Sequence, residues 1–128
     1  MFNDLWTFSL DTLRWTPHIS VNGIRPDVSS NAALFAIGNQ LYLHGGGNLR
    51  LSANGRGCTS GKLRMFDLLA RRWYRVRPRA YAADARCTRR DGHSATVLGD
   101  GRYVVITGGY MADELFVLQT PPSSIAAI

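Results

Sequence analysis

Residues 92–118 run Gly92-His93-Ser94-Ala95-Thr96-Val97-Leu98, Gly99-Asp100-Gly101, Arg102-Tyr103-Val104-Val105-Ile106-Thr107-Gly108-Gly109, then, past a short loop, Asp113-Glu114-Leu115-Phe116-Val117-Leu118. The apolar pieces are short and rich in β-branched and aromatic residues, which predicts strands. Asp100-Gly101 between the first two predicts a tight hairpin turn. The double glycine suits a backbone that takes positive φ or passes close to a neighbouring chain. A third strand follows over 113–118.

The same order of pieces occurs earlier in the chain. Residues 32–37 form an apolar run, Gly38-Asn39 a turn, and Gln40-Leu41-Tyr42-Leu43-His44 a second strand running into Gly45-Gly46-Gly47. A glycine- and arginine-containing loop spans 48–61. Strands follow at Lys62–Leu68 and Arg71–Val76, the second carrying Trp73. The chain starts with an equivalent pair: Asn3–Leu10, a turn at Asp11-Thr12, then Leu13–Thr16 with Trp15. Residues 18–30 are a polar loop of turn formers. Residues 77–90 are a second, basic connector. Pro121-Pro122 cannot continue a sheet ladder, so 119–128 is expected to be a loose tail.

The repeat spacing is in the range of one four-stranded propeller blade. The chain resembles the kelch-repeat β-propeller family in Gly45-Gly46, Gly108-Gly109, Gly92-His93-Ser94-Ala95, Asn3-Asp4-Leu5-Trp6, Trp15 and Trp73. The resemblance covers nearly the whole chain to Leu118. It departs in the middle unit, where Asn31-Ala32-Ala33 stands in place of Gly-His-Ser. It implies an all-β fold, an incomplete kelch-type β-propeller made of four-stranded antiparallel blades. Residues 1–17 would supply the last two strands of a first blade, 31–76 a complete blade, and 92–118 the first three strands of a third. The place beside the third strand is then expected to be empty. Closed propellers typically have about four to eight blades. Three readings of so small a wedge stay open: a piece of a longer propeller, a wedge completed by other chains, or an open structure.

Length and composition agree with a folded domain. A 45% hydrophobic fraction over 128 residues supports a real core. No run approaches the roughly 20 apolar residues of a membrane-spanning helix. Residues 1–15 lack a basic leader and contain Asp4 and Asp11, so a cytoplasmic location is expected. Cys58 and Cys87 are expected to be free thiols, since neither stands at metal-ligand spacing from a second Cys or a His. The net charge of +6 comes almost entirely from arginine, which binds carboxylate and phosphate bidentately.

Catalytic motifs fail on inspection. Gly55–Lys62 lacks the first glycine and the Ser/Thr of a phosphate loop. His44-Gly45-Gly46-Gly47 resembles an oxyanion loop, but the Gly-x-Ser-x-Gly elbow it requires is absent. His93 and Ser94 are adjacent strand residues on opposite faces and form no dyad. His93 is therefore expected to be buried and bonded to nearby backbone. The histidines occupy different places in the repeat, and no metal or cofactor is assigned.

What remains is charge. Arg50, Arg56, Arg77, Arg79, Arg86, Arg89 and Arg90 are the expected contact residues of an electrostatic surface, and an acidic protein is the expected partner. The family resemblance implies a non-catalytic protein–protein interaction module, a scaffold or adaptor. Further blades, from the same parent chain or another chain, are a second expected partner. Alternatives are a fragment of a propeller enzyme resembling galactose oxidase and a basic RNA-binding or ribonucleoprotein component. The last has interleaved Tyr74 and Tyr81 in its favour but no recognised RNA-binding pattern.

Overall fold

The computed structural model describes residues 2–19, 22–27, 29–48, 58–59, 61–77, 79–81, 89–109 and 115–120. For Asn48, 58–59, 79–81 and Phe116 it describes the backbone alone. The protein is all-β: the described residues form strands and turns, with no helix among them. None of them forms a helix long and apolar enough to cross a membrane.

The first layer is a hairpin. β1 (Trp6–Ser9) pairs antiparallel with β2 (Arg14–Pro17), setting Phe8 opposite Trp15 and Thr7 opposite Thr16. The turn between them closes with Leu13 in the left-handed region, at φ 53°.

The middle layer is a sheet of five strands. β3 (Asn22–Gly23) is a two-residue strand arising within the polar loop, which was expected to carry none. β4 (Ala33–Ile37), β5 (Gln40–His44), β8 (Leu63–Asp67) and β9 (Arg72–Val76) form an antiparallel meander, and β3 adds parallel to β9 at the outer edge. Asp67 builds the β8–β9 turn: its Oδ1 accepts from the backbone of Leu69 and Ala70, at 2.9 and 2.8 Å. Such local side-chain bonding is why aspartate favours turns. The loop between β5 and β8 holds a two-stranded ribbon, β6 (Gly47–Asn48) with β7 (Cys58–Thr59).

The last layer has four strands. β11 (His93–Leu98), β12 (Tyr103–Gly108) and β13 (Phe116–Gln119) follow the predicted order. Asp100 Oδ1 accepts from Arg102 N at 3.0 Å inside the predicted Asp-Gly turn. The place beside β13 is not empty. β10 (Arg79–Tyr81), from the basic connector, lies antiparallel there with Ala80 opposite Leu118. The edge of β13 offers unpaired N–H and C=O groups, and a passing backbone satisfies them whatever its side chains. Past β13, the Thr120 hydroxyl donates to Gly101 O at 2.6 Å and ties this end to the β11–β12 turn.

The core lies between the middle and last sheets. Phe35, Tyr42, Leu63, Met65 and Val76 on one side meet Val104, Ile106 and Leu118 on the other. Phe35 and Tyr42 stack nearly parallel, with ring centroids 5.3 Å apart. The opposite face of the middle sheet buries Phe66 and Trp73, and His18, just beyond the hairpin, meets the Phe66 ring edge-on at 5.6 Å.

Equivalent positions in the repeat are not equally buried. Trp73 is 6% exposed, whereas Trp15 is 65% exposed. Trp73→Ala is therefore expected to cost about 3–5 kcal/mol, the usual price of deleting a buried aromatic. Trp15→Ala is expected to stay within about 0.5 kcal/mol at dilute chain concentration. Urea unfolding midpoints of the two variants check this, and equal losses would contradict the layer assignment.

Candidate functional site

The glycines singled out in the sequence converge on a short segment, Arg90–His93, that crosses between the middle and last sheets. The Arg90 carbonyl accepts from Gly46 N at 2.8 Å, while its Nη1 donates to Gly108 O at 2.7 Å. Gly92 N donates to Asn31 O at 2.8 Å. One arginine thus holds the ends of both Gly-Gly strands, its backbone on one sheet and its side chain on the other.

Gly45 shows why a side chain fails here. It sits at φ 72°, and a Cβ would collide with the Arg90 carbonyl oxygen and the His93 ring. The close approach that the double glycine suggested is therefore an approach of protein to protein. Gly109, at φ 111°, would bring a Cβ to 3.1 Å from the Asp91 carbonyl oxygen.

Two imidazoles complete the junction. His44 ends β5 and His93 begins β11; their Nδ1 and Nε2 share a hydrogen bond of 2.8 Å, with the rings edge to face. The sequence placed these histidines in different parts of the repeat and did not pair them. The correction has a topological cause. One residue sits at the Gly-Gly end of a second strand and the other at the start of the next first strand, and stacking the sheets brings those ends together.

The pair is held neutral. His44 is 1% exposed. Burial, then the neighbouring His93 and Arg90, lowers its pKa from 6.5 to about 4. Burial and Arg90 also lower His93, against opposing pulls from Asp91 and the His44 backbone. His93 Nδ1 is buried without a hydrogen-bond partner, so a proton added there would have no acceptor. Among the described residues no three His, Cys, Asp or Glu side chains gather to hold a metal.

The expected contact arginines part company. Arg77 and Arg89 are exposed. Arg90 is 2% exposed and spans the two sheets, so it is withdrawn from the surface set. Its guanidinium donates from Nη1 to the Gly108 carbonyl. The backbone of Arg79 lies in β10, and its side chain is outside the described residues, as are Arg50, Arg56, Arg86 and Cys87. The exposed charge that sequence reasoning left out of its contact set lies on and beside β9: Arg71, Arg72 and Arg75 lead along the chain to Arg77. The Arg72 guanidinium lies over the Tyr74 ring, 5.7 Å from its centre. Strand alternation gives no signal for it: Arg72 shares a face of β9 with Tyr74, and Arg75 lies on the opposite face with Trp73. Arg64 on neighbouring β8 is only 8% exposed and does not join this surface.

No protein-family model matches the chain, and no curated protein is similar to it.

A histidine whose folded pKa lies below its unfolded value binds fewer protons folded than unfolded. Stability is then full above pH 6.5 and falls as pH drops towards 4. For His44 the drop from 6.5 to about 4 corresponds to roughly 3 kcal/mol over that window. Urea midpoints at pH 7.5 and pH 5 should show it, and His44→Gln should flatten the slope between them. An unchanged slope in the variant would mean that the acid sensitivity arises elsewhere.

Proposed function

We propose that the chain is a non-catalytic protein-binding module of kelch type, its sheets stacked as blades, which holds an acidic protein partner through the arginines on and around β9. The observation that carries the reading is the exposed run of Arg71, Arg72, Arg75 and Arg77 beside and along β9. Arg72 and Arg75 project from opposite faces of β9, with Arg71 in the turn before it and Arg77 just past its end, so the charge gathers around the strand, and each guanidinium can take a carboxylate bidentately. Arg89 adds charge at the start of the segment that clasps the sheets. The blade reading draws support from two sheets that each contain a four-stranded antiparallel array, and from Gly-Gly ends gathered at their junction.

The RNA-binding alternative rests on the same arginines, with the Tyr74 ring under Arg72 as a stacking surface. One experiment separates the two. Poly-glutamate and a single-stranded oligoribonucleotide are titrated against the chain at about 50 and 200 mM salt. Poly-glutamate should bind, and the triple charge reversal Arg72→Glu, Arg75→Glu, Arg77→Glu should weaken it by roughly tenfold or more. Preferential binding of the oligoribonucleotide, abolished by the same reversal, would replace the acidic-protein reading. Poly-glutamate binding untouched by the reversal would move the site off β9.

A further inference from the structure

The layers follow one another in a single sense. The middle sheet presents one row, Phe35, Tyr42, Met65 and Tyr74, to the last sheet, which answers with Val97, Val104 and Leu118. Its opposite face carries the Phe66–Trp73 ring pair, and there it receives the preceding layer through His18. Each sheet therefore has a forward face, which covers the next layer, and a rear face, which is covered by the layer before.

The hairpin repeats the rear face in detail. Phe8 and Trp15 are a cross-strand pair with ring centroids 5.0 Å apart, tilted 47°. Phe66 and Trp73 are a cross-strand pair at 5.1 Å, tilted 48°. Thr7, on the other side of β1, hydrogen-bonds His18 at 3.0 Å. The hairpin's forward side is thus the side turned to the middle sheet, and its rear side points away. Phe66 is fully buried and Trp73 nearly so, while Trp6, Phe8 and Trp15 on the hairpin's rear side are exposed.

The far end of the stack leaves the other kind of face open. On the side of the last sheet away from the core, Thr96, Val105 and Val117 form one row and Leu98 and Tyr103 another. Thr96, Leu98 and Tyr103 are exposed, and the two valines are partly so. Among the described residues no layer follows this forward face. One chain therefore carries an open rear face and an open forward face, of the two kinds that pack together within it.

We propose that a second copy of this chain occupies the hairpin's rear face, laying the forward face of its last sheet over Phe8 and Trp15. The contact continues the internal stacking in the same sense. It is heterologous, one surface against a different one, so that it propagates head to tail and closes into a ring where the rotation allows. The inference rests on the stacked-blade reading above and names its partner at the stack ends.

Sedimentation velocity across about a hundredfold range of chain concentration tests it. The wild-type chain should associate as concentration rises. Trp15→Glu blocks the rear face and Thr96→Arg the forward face; both residues are exposed, and circular dichroism and urea unfolding check that each variant folds. Each alone should associate roughly tenfold or more weakly than wild type. Mixed, they should form one-to-one dimers, because the first keeps the forward face and the second the rear face. A wild-type chain that stays monomeric overturns the proposal, as does association that both variants leave intact. Folded variants that fail to pair when mixed overturn it too, since that behaviour belongs to a contact using one surface twice. A monomer that still binds poly-glutamate through β9 would sink the stacking alone. A stacking chain that ignores poly-glutamate would sink the acidic-partner reading alone.

Discussion

The double anchorage of Arg90 is the constraint on which the rest of the structure depends. Apolar burial between two sheets is non-directional, and by itself it leaves them free to slide or rotate. The Arg90 carbonyl fixes the end of the middle sheet at Gly46, and its guanidinium fixes the last sheet at Gly108. Both bonds point in defined directions, the first at buried Gly46 and the second partly buried at Gly108. Gly45 follows from this: with Arg90 held there, no residue with a Cβ fits against its carbonyl and the His93 ring. The histidines are held neutral first by their burial in this junction, and the Arg90 guanidinium beside them adds to it.

The same constraint divides the basic residues by role. Arginine identity alone says nothing of exposure: Arg90 and Arg64 are almost fully buried, whereas Arg71, Arg72, Arg75 and Arg77 are exposed. The buried guanidinium of Arg90 donates from Nη1 to a backbone carbonyl and acts as a brace. The exposed ones keep their donors for solvent or a partner. Clasp and charged surface thus use the same residue type, at separate places, for opposite ends.

Most of the strand order was legible in the sequence because it is written locally. Val104-Val105-Ile106 and Leu41-Tyr42-Leu43 are strand-forming whatever surrounds them, and Asp67 and Asp100 bond the turns that follow them. What stayed hidden is non-local. Arg79–Tyr81 has no apolar run to mark it; it becomes a strand because β13 offers an edge. Asn22–Gly23 pairs with β9 for the same reason. The His44–His93 bond joins residues 49 apart in sequence, and no spacing rule reaches across that interval. Arg90 lay inside a basic stretch whose composition argued for solvent, and only the packing of two sheets around it reverses that.

The two tryptophan hairpins show where sequence information ends. Phe8–Trp15 and Phe66–Trp73 reach nearly the same ring geometry, so cross-strand register and local sequence suffice to set the pair. Burial differs because one pair meets the layer behind it through His18, while among the described residues no layer lies behind the other. An isolated two-stranded ribbon is marginal in water, and the first hairpin is secured through the Thr7–His18 bond and the His18–Phe66 contact. In such a stack the stability of each layer is a sum of its own terms and those of its immediate neighbours. A tryptophan in this repeat therefore has no fixed energetic worth. Its contribution is set by whether the adjoining place in the stack is filled, and that is decided by a neighbouring layer outside the repeat that carries it.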